Sequence, residues 1–290
     1  MGCRALTALP VFNEAKHVSR VLDLVVRQGT DVLVVDDGST DGTHAILAAR
    51  RDIAIASHGK NQGYGAALRT AFAYSLRHGY DVLVTIDCDG QHEPQLIPAF
   101  VAACLDQEMV SGTRYLHAFA GDSAPPPERL RINQLVTAEV NRRLGLSLTD
   151  AFCGFKAYRV PALAGLRITN TGYAMPLELW VQAVALKWRI RELAVPLIYL
   201  DEARSFGGAL DNADTRLRHY LQVLDQAESE VRSSGWLEPL ASPAPQPGCE
   251  ACSGGQQSSV ERPSVERPGV ERPNVQQSDA RQPIADGSGS

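Results

Sequence analysis

The sequence predicts an α/β fold in which helices flank an open, mostly parallel β-sheet. Short apolar segments alternate with helical segments over residues 4–111, and this pattern indicates βαβ units with right-handed crossovers. The predicted strands are continuous apolar runs, which is typical of parallel strands covered by helices on both faces. A length of 290 residues suits one α/β domain followed by a tail.

Each strand of this first part is predicted by its own apolar run, and each helix by apolar residues that recur on one side, as in residues 18–26. Thr40 or Asp41 is expected to cap the second helix. Strands are expected at residues 4–9, 31–36, 53–56, 81–86 and 109–111, and helices at residues 13–28, 43–50, 63–77 and 94–104.

The pattern changes after three consecutive prolines at positions 125–127. Residues 128–144 predict a basic amphipathic helix that contains Arg129 and Arg131, and a segment with one glycine and three aromatic residues follows at 152–158. The remaining predicted elements are a helix at residues 174–187, a strand at 190–195 and a last helix at 213–231.

The C-terminal part has a different composition. It is rich in Pro, Ser, Gln and Gly, and Val-Glu-Arg-Pro recurs at residues 260–263, 265–268 and 270–273. Such a segment has too little apolar surface to offset the entropy lost on folding, so we expect a disordered tail at residues 236–290 after a folded domain at residues 1–235. A tether or partner-binding role is the alternative for this tail.

The composition excludes some classes of function. A net charge of -5 gives no support for a nucleic-acid partner. No run of about 18 apolar residues predicts a transmembrane segment, and no signal-peptide pattern precedes the first strand. With six scattered cysteines and no secretory signal, reduced thiols and a cytoplasmic location are expected.

Two carboxylates stand at the end of the fourth predicted strand, in Asp87-Cys88-Asp89-Gly90-Gln91. Ligands bind at this edge in open α/β sheets. Oxygen donors with this spacing suit a hard divalent cation such as Mg²⁺ or Mn²⁺, which in turn neutralises a diphosphate. The alternative is a solvated acidic turn after a strand.

Three other segments also follow predicted strands, so a parallel sheet would gather all four at one edge. They are residues 9–14, 36–39 and 111–115. Several acidic clusters at one edge would repel each other unless a cation or a donor-rich ligand lay between them. This favours a site for a metal and a nucleotide over four unrelated loops.

These segments resemble a known family. The motifs Pro-x-Phe-Asn-Glu, Val-Asp-Asp-Gly-Ser-Thr-Asp-Gly-Thr, Asp-Cys-Asp-Gly-Gln-His and Ser-Gly-Thr-Arg-Tyr occur in this order. The chain is therefore similar to family 2 glycosyltransferases with the GT-A fold, and within them to dolichyl- or polyprenyl-phosphate sugar transferases. The resemblance covers about residues 5 to 225. It implies a nucleotide-sugar donor.

The resemblance also implies roles for the strand-end residues. The nucleotide base and ribose would be bound by Pro10, Phe12 and Glu14, together with Asp36 or Asp37. Asp87 would lie near the ribose or the diphosphate, and Mg²⁺ or Mn²⁺ would be held by Asp87, Asp89 and Gln91. His92 is expected to be a polar loop residue, or else to steady Gln91 or Asp89.

Arginines in this family face the donor diphosphate or the acceptor phosphate, and arginine suits this task because it binds phosphate with two hydrogen bonds. The matching positions are Arg114, either Arg129 or Arg131 (Arg131 being the one assigned), and Arg204. Residues 202–209 have the composition of a lid over the donor. Many members of the family carry a lysine shortly after the arginine that matches Arg204, whereas Ser-Phe-Gly-Gly-Ala follows Arg204 here.

Asp150 lies in a segment that resembles the acceptor-side loop of the family. If the acceptor is a hydroxyl, Asp150 is the candidate general base. If the acceptor is a phosphate, no base is needed and Asp150 would orient the loop. A helix cap or turn is the purely structural role for this residue.

The sequence thus predicts an inverting, metal-dependent glycosyltransferase that uses a GDP- or UDP-sugar. Polyprenyl or dolichyl phosphate is the expected acceptor, with peripheral membrane contact, and a soluble or glycan hydroxyl acceptor is the alternative. A nucleotide-sugar-binding scaffold without turnover is a second hypothesis. A Rossmann dehydrogenase is a third hypothesis, weakened because the Gly-x-Gly-x-x-Gly pattern is absent.

Overall fold

The computed structural model describes residues 2–199 and 208–234. Within these ranges seven strands form one sheet and eight α-helices cover it. The strands are Ala5–Val11 (β1), Asp31–Asp36 (β2), Ala54–Ser57 (β3), Val82–Thr85 (β4), Met109–Thr113 (β5), Lys156–Arg159 (β6) and Ile190–Ala194 (β7). The helices are Val18–Val26 (α1), Thr43–Ala48 (α2), Tyr64–Arg77 (α3), Ile97–Ala103 (α4), Pro127–Leu144 (α5), Val160–Leu163 (α6), Met175–Ala185 (α7) and Ala213–Ser233 (α8).

The sheet has the strand order β3-β2-β1-β4-β6-β5-β7. β1 pairs in parallel with β2 and β4, β2 with β3, and β5 with β7. Only β6 runs against its neighbours β4 and β5. The predicted α/β class with a mostly parallel sheet is confirmed, and the carboxyl ends of β1, β2, β4 and β5 meet at one edge.

β6 is the strand that the sequence did not predict. Most of it lies in the segment at residues 152–158, to which no element was assigned and which contains a glycine and one charged residue, Lys156. Lys156 and Tyr158 are nevertheless buried between β4 and β5, where they are 3% and 1% exposed. Tertiary packing therefore decides this strand, as is common for β-structure.

Both faces of the sheet are covered by helices. Alternate residues of β1 and β2 belong to two separate apolar clusters: Leu6 and Leu33 face the first, and Leu9 and Val34 face the second. The first cluster includes residues of α3, α5, α7 and α8, and the second includes residues of α1 and α4. The continuous apolar strands follow from this burial on both sides.

The first helix begins later than its apolar pattern predicts, and the second begins at Thr43 as expected. α1 begins at Val18 and not at Asn13, because Asn13 has a left-handed backbone (φ 58°) and its Oδ1 accepts a hydrogen bond from the Thr40 amide at 2.7 Å. α2 is preceded by Gly42 (φ 97°) at its N-cap position. Asp41 is thus not the capping residue, although its Oδ1 accepts from the Thr43 amide at 3.0 Å.

None of the described helices combines the length and the apolar character needed to cross a bilayer. Arg204, most of the predicted lid and the tail at residues 236–290 lie outside the described residues.

Candidate active site

One cleft of about 330 Å³ lies at the carboxyl edge of the sheet. All four strand-end segments contribute to its wall, as parallel strands require. The residues assigned from the sequence that line it are Pro10, Phe12, Glu14, Asp37, Asp87, Asp89, Gln91 and Arg114. Asp36, Arg131 and Asp150 are not among the lining residues.

The two aspartates after β2 have different positions. Asp36 is 2% exposed, its Oδ1 accepts from the Ser39 amide at 3.0 Å, and its Oδ2 lies 3.0 Å from Nδ1 of His44. Asp36 therefore stabilises the turn after β2 and does not line the cleft. Of the two alternatives predicted for the nucleotide, the structure places Asp37 in the cleft.

Asp37 also fixes the entry to α3. Its Oδ1 accepts from the Gln62 amide at 2.9 Å and lies 2.6 Å from Nδ1 of His58, while its Oδ2 accepts from the Gly63 amide at 2.8 Å. The neighbouring Gly38 has a left-handed backbone (φ 75°), and a Cβ there would lie 2.5 Å from the Lys60 carbonyl carbon. Only glycine fits this close approach.

Glu14 is held at the cleft by the loop that precedes α2. Its amide donates to Thr43 Oγ1 at 2.9 Å, and the next amide, that of Ala15, donates to Asp41 Oδ2 at 3.0 Å. The Glu14 side chain is buried, with 8% of the residue exposed. The segments after β1 and β2 are thus joined into one wall of the cleft.

The Asp87-x-Asp89 segment is bound by hydrogen bonds on several sides. Asp89 accepts from the Gln91 amide at 3.0 Å and from Gln91 Nε2 at 3.1 Å. Asp87 accepts a hydrogen bond from the Tyr64 hydroxyl, and burial together with this carboxylate raises the pKa of Tyr64 well above its usual value. His92 Nε2 lies 3.4 Å from Asp87 Oδ2. His92 therefore contacts Asp87, whereas the sequence interpretation had named Gln91 or Asp89 as the residue that it steadies.

The oxygen atoms of this segment suit a divalent cation whose remaining ligands come from the substrate. Within residues 2–199 and 208–234 no group of three or more His, Cys, Asp or Glu side chains forms a metal cage. Mg²⁺ in nucleotide sites is usually held by one or two carboxylates together with substrate phosphates. Asp87, Asp89 and the Gln91 amide oxygen offer oxygen ligands of this kind at the cleft. Cys88 is 2% exposed in the apolar core, and its sulfur is a poor ligand for such an ion.

Arg114 and Asp150 form a two-point ion pair next to the cleft. Arg114 Nε donates to Asp150 Oδ2 at 2.6 Å and Nη2 donates to Oδ1 at 3.0 Å. Asn133 Nδ2 and the Phe152 amide also donate to Oδ1, at 2.8 and 3.1 Å. Asp150 is fully buried. Burial alone would raise the pKa of this carboxyl, but the Arg114 charge and these hydrogen bonds hold it below its usual value.

This environment favours one of the roles predicted for Asp150. A carboxylate with a lowered pKa and every oxygen hydrogen-bonded is a weak base, and its burial keeps it away from an acceptor hydroxyl. Asp150 instead contacts Arg114 and the Phe152 amide of its own loop. Glu192 on β7 steadies the same loop by accepting from the Thr149 amide at 2.9 Å, a contact that the sequence pattern did not reveal.

Arg129 and Arg131, at the start of α5, lie on different faces of the helix. Arg129 is half-buried and lines the cleft, one helical turn before Asn133, which also lines it. Arg131 is exposed and does not line the cleft. The assignment of Arg131 to the substrate is therefore not supported by its position, whereas the alternative, Arg129, is in place.

Several lining residues were missed by the sequence interpretation. Tyr64 and Tyr173 stack with ring centroids 5.8 Å apart at the cleft, and Arg216 enters the wall from α8 while being only 3% exposed. A signal for Arg216 exists: it falls on the buried side of an amphipathic helix, in register with Ala213, Tyr220 and Val223. Arginine is seldom buried in this way, so its place on the buried side of the helix is the signal. The other missed lining residues include Asn61, Tyr115, Asn133, Phe152, Tyr199 and Tyr220.

Comparisons of sequence give a consistent result. The family model described as Glycosyl transferase family 2 matches residues 7–167, more than half of the chain. An undecaprenyl-phosphate mannosyltransferase of Micrococcus luteus is 31% identical over 72% of this chain and 90% of its own length. A polyprenol monophosphomannose synthase of Mycolicibacterium smegmatis is 29% identical over 62% of this chain and 72% of its own length.

Solved structures show the same fold. The glucosyl-3-phosphoglycerate synthase of Mycobacterium tuberculosis superposes with a TM-score of 0.61, at 20% identity, over 79% of this chain and 81% of that one. The same enzyme has been crystallised with Mn²⁺, uridine diphosphate and glucosyl-3-phosphoglycerate. At this level of identity the likeness concerns the fold alone.

Proposed function

The chain belongs to glycosyltransferase family 2 and has the GT-A fold, and we propose that it transfers a sugar from a GDP- or UDP-sugar to the phosphate of a polyprenyl or dolichyl phosphate. Two relatives whose names state such activities support the acceptor: one acts on undecaprenyl phosphate and the other makes polyprenol monophosphomannose. The geometry of the cleft supports the division of the site into a donor part and an acceptor part.

The donor part comprises the strand-end residues. Pro10, Phe12, Glu14 and Asp37 line the part of the cleft built by β1 and β2. A carboxylate that faces a base N–H or a ribose hydroxyl makes a charge-assisted hydrogen bond, which gives it discriminating power. We assign the base and the ribose to these residues, and the diphosphate to the Asp87-x-Asp89 segment.

A divalent cation suits the diphosphate end of this site. Mg²⁺ or Mn²⁺ bound by Asp87, Asp89 and Gln91 would neutralise charge on the departing nucleoside diphosphate as a Lewis acid. Tyr64 and His92 contact Asp87, so they hold the carboxylate in one orientation. Such supporting contacts are a regular part of metal sites.

The ion pair between Asp150 and Arg114 is the observation that favours a phosphate acceptor over a hydroxyl acceptor. A hydroxyl acceptor needs a general base, and the carboxylate predicted for that task is buried in an ion pair with Arg114. A phosphate acceptor is already ionised near neutral pH, so no proton has to be removed from its attacking oxygen. Arg114 and Arg129 line the cleft, and arginine is well suited to binding a phosphate.

In the proposed reaction an anionic oxygen of the acceptor phosphate attacks the anomeric carbon of the sugar from the face opposite the diphosphate. A bond forms between this oxygen and the anomeric carbon. The bond between the anomeric carbon and the β-phosphate oxygen breaks, and its electron pair leaves with the nucleoside diphosphate. The configuration at the anomeric carbon is inverted. The residues of the cleft contribute by binding and aligning the two substrates.

Because the hydrocarbon chain of a polyprenyl phosphate lies in a bilayer, we also propose peripheral contact with a membrane. The basic helix α5 begins at the cleft and exposes Arg131. Basic residues near an anionic membrane surface contribute about 1 kcal/mol each to binding.

A panel of GDP- and UDP-sugars tests this function. Each donor is incubated with Mg²⁺ or Mn²⁺, with and without polyprenyl phosphate, and release of nucleoside diphosphate is followed; matched reactions contain EDTA. Release that requires both the lipid and the metal is the expected result and identifies the donor. Release that does not depend on the lipid would favour a soluble or glycan acceptor, and donor binding without release would favour a scaffold.

A further inference from the structure

Arg216 is a buried arginine in the wall of the cleft. It lies in the first turn of α8, lines the cleft and is 3% exposed. Its Nη1 donates to the carbonyl oxygens of Leu210 and Asp211 at 2.7 and 3.4 Å. Arginine is seldom buried to this extent, because removing its charge from water is costly unless hydrogen bonds and nearby charge offset that cost.

A second arginine of the cleft wall, Arg129, lies on the neighbouring helix α5. α5 and α8 pack against each other, and Arg143 near the end of α5 forms an ion pair with Asp225 in the middle of α8. Both helices begin at the cleft, where α5 contributes Arg129 and α8 contributes Arg216. The side of the cleft built by these helices therefore carries two arginines.

The strand-end part of the wall carries four carboxylates and one arginine, Arg114, which is paired with Asp150. Glu14, Asp37, Asp87 and Asp89 line the part built by the strand ends. A phosphate close to these carboxylates would be repelled unless cations lay beside it. The donor diphosphate has the proposed divalent ion for this purpose. A second phosphate in the same cleft needs positive charge of its own.

We propose that Arg216 binds the phosphate of the acceptor together with Arg129. This inference rests on the proposed function, and it assigns the acceptor end of the cleft to residues of α5 and α8. A phosphomonoester carries a charge of about -1.5 to -2 at neutral pH and offers three acceptor oxygens. Two guanidinium groups match this charge, and each presents a planar set of donors that fits phosphate. The carbonyl contacts of Arg216 hold its guanidinium in place for this task.

The chain offers a matched control on the same helix. Arg218 lies two residues further along α8, is exposed and does not line the cleft. Its side chain donates to the Asp214 carbonyl at 3.3 Å and to Thr215 Oγ1 at 3.4 Å. Arg218→Gln thus removes the same charge from the same helix without changing the cleft.

The test compares steady-state kinetics of the full-length wild type with Arg216→Gln, Arg216→Lys and Arg218→Gln. Polyprenyl phosphate is varied at saturating donor, and donor is varied at saturating lipid. We expect the KM for polyprenyl phosphate to rise about tenfold to a hundredfold in Arg216→Gln, in line with the loss of hydrogen bonds to a charged group. Arg216→Lys should show a smaller rise, because it keeps the charge but loses the two-point geometry. The affinity for donor and the kinetics of Arg218→Gln should not change.

An unchanged acceptor KM in Arg216→Gln, or an equal rise in Arg218→Gln, would overturn the assignment. Equal losses of donor and acceptor affinity would also overturn it, since they indicate a general disturbance of the cleft. Nucleoside diphosphate binding, measured by calorimetry, reports whether each variant is folded. Should Arg216→Gln not fold, Arg216→Lys and Arg129→Gln carry the same comparison.

A second arm separates this inference from the proposed function. Glycerol 3-phosphate replaces the lipid as a soluble phosphomonoester, and calorimetry measures the binding of either phosphate to protein loaded with nucleoside diphosphate and Mg²⁺. If only the soluble phosphate binds or reacts, the lipid acceptor is wrong, yet weaker binding in Arg216→Gln still supports a phosphate site. If neither phosphate binds the wild type, the site at Arg216 is wrong as well.

Discussion

The carboxylate of Asp87 lies directly against the backbone of Gly154. A Cβ added to Gly154 would overlap Asp87 Oδ2 and would lie 2.7 Å from both Oδ1 and Cγ. Gly154 precedes β6, the strand that pairs with β4 and so lies beside the Asp87-x-Asp89 segment. The absence of a side chain at position 154 therefore sets where the first carboxylate of the proposed metal site can lie.

Gly154→Ala should weaken metal-dependent nucleotide binding. Because the alanine methyl must displace Asp87, we expect affinity for UDP or GDP with Mn²⁺ to fall by about tenfold to a hundredfold, the usual effect of disturbing the support of a metal ligand. Calorimetric titration measures this directly. Gly59→Ala is the matched control, because a Cβ there meets no atom within 4 Å. Equal affinities for the two variants would contradict the prediction.

Asp89→Ala should abolish both donor binding and turnover. The substitution removes a proposed ligand of the cation and leaves Gln91 without the carboxylate that it contacts through its amide and Nε2. Donor titration in Mg²⁺ and in EDTA measures the loss. Glu93→Ala changes an exposed carboxylate close by that does not line the cleft, and it should behave like the wild type. Unchanged turnover in Asp89→Ala would remove the basis of the metal site.

The two arginines at the start of α5 should differ in their effects on catalysis. Arg129→Gln should lower kcat/KM by about tenfold or more, because it removes a charge that faces a phosphate. With polyprenyl phosphate supplied in neutral detergent micelles, where no anionic membrane surface is present, Arg131→Gln should change kcat/KM by less than about twofold, since exposed charges contribute little. Nucleoside diphosphate release under limiting polyprenyl phosphate measures both. A larger effect at Arg131 would restore the assignment predicted from the sequence.

Asp150→Asn should destabilise the fold in a way that depends on pH. The pKa of Asp150 is lowered in the folded protein, so its stabilising effect is complete above the unfolded value of about 3.9 and is lost as the pH falls through the folded value. We expect a loss of about 3 kcal/mol at pH 7, as for a buried ion pair that loses one partner.

Urea unfolding of the wild type and Asp150→Asn at several pH values measures this difference. The gap in unfolding free energy should be constant between about pH 5 and pH 8 and should narrow below about pH 4. Asp225→Asn is the control, because it breaks an aspartate–arginine pair whose carboxylate is 66% exposed, and it should cost at most about 1 kcal/mol. A gap at pH 7 that persists unchanged at low pH would show that charge pairing is not its cause.

Much of the fold was predictable because the apolar runs of the parallel strands are continuous and regularly spaced. The element that escaped prediction, β6, has two charged residues in four, and Lys156 becomes buried only through its neighbours. Its Nζ donates to Ser111 Oγ at 2.6 Å and lies 4.9 Å from the Trp180 ring centroid. Burial lowers the pKa of this lysine. Contacts with residues so distant in sequence leave no local pattern.

The candidate site likewise has residues that could be predicted from the sequence and residues that could not. The strand-end carboxylates were predictable because parallel strands place their carboxyl ends together, whichever helices cover the sheet. The pairing of Arg114 with Asp150 was not, because it depends on where β7 and α5 hold the 149–152 loop through Glu192 and Asn133. Arg216 was missed because the placement of α8 follows from helix packing.

The transfer of labelled sugar into an organic extract tests the central claim most directly. Wild-type protein is incubated with the labelled nucleotide-sugar, Mg²⁺ and polyprenyl phosphate, and the product is partitioned between organic solvent and water. We expect label in the organic phase, in amounts that match the nucleoside diphosphate released and that fall to background with EDTA. Nucleoside diphosphate release with all label left in the aqueous phase would contradict it.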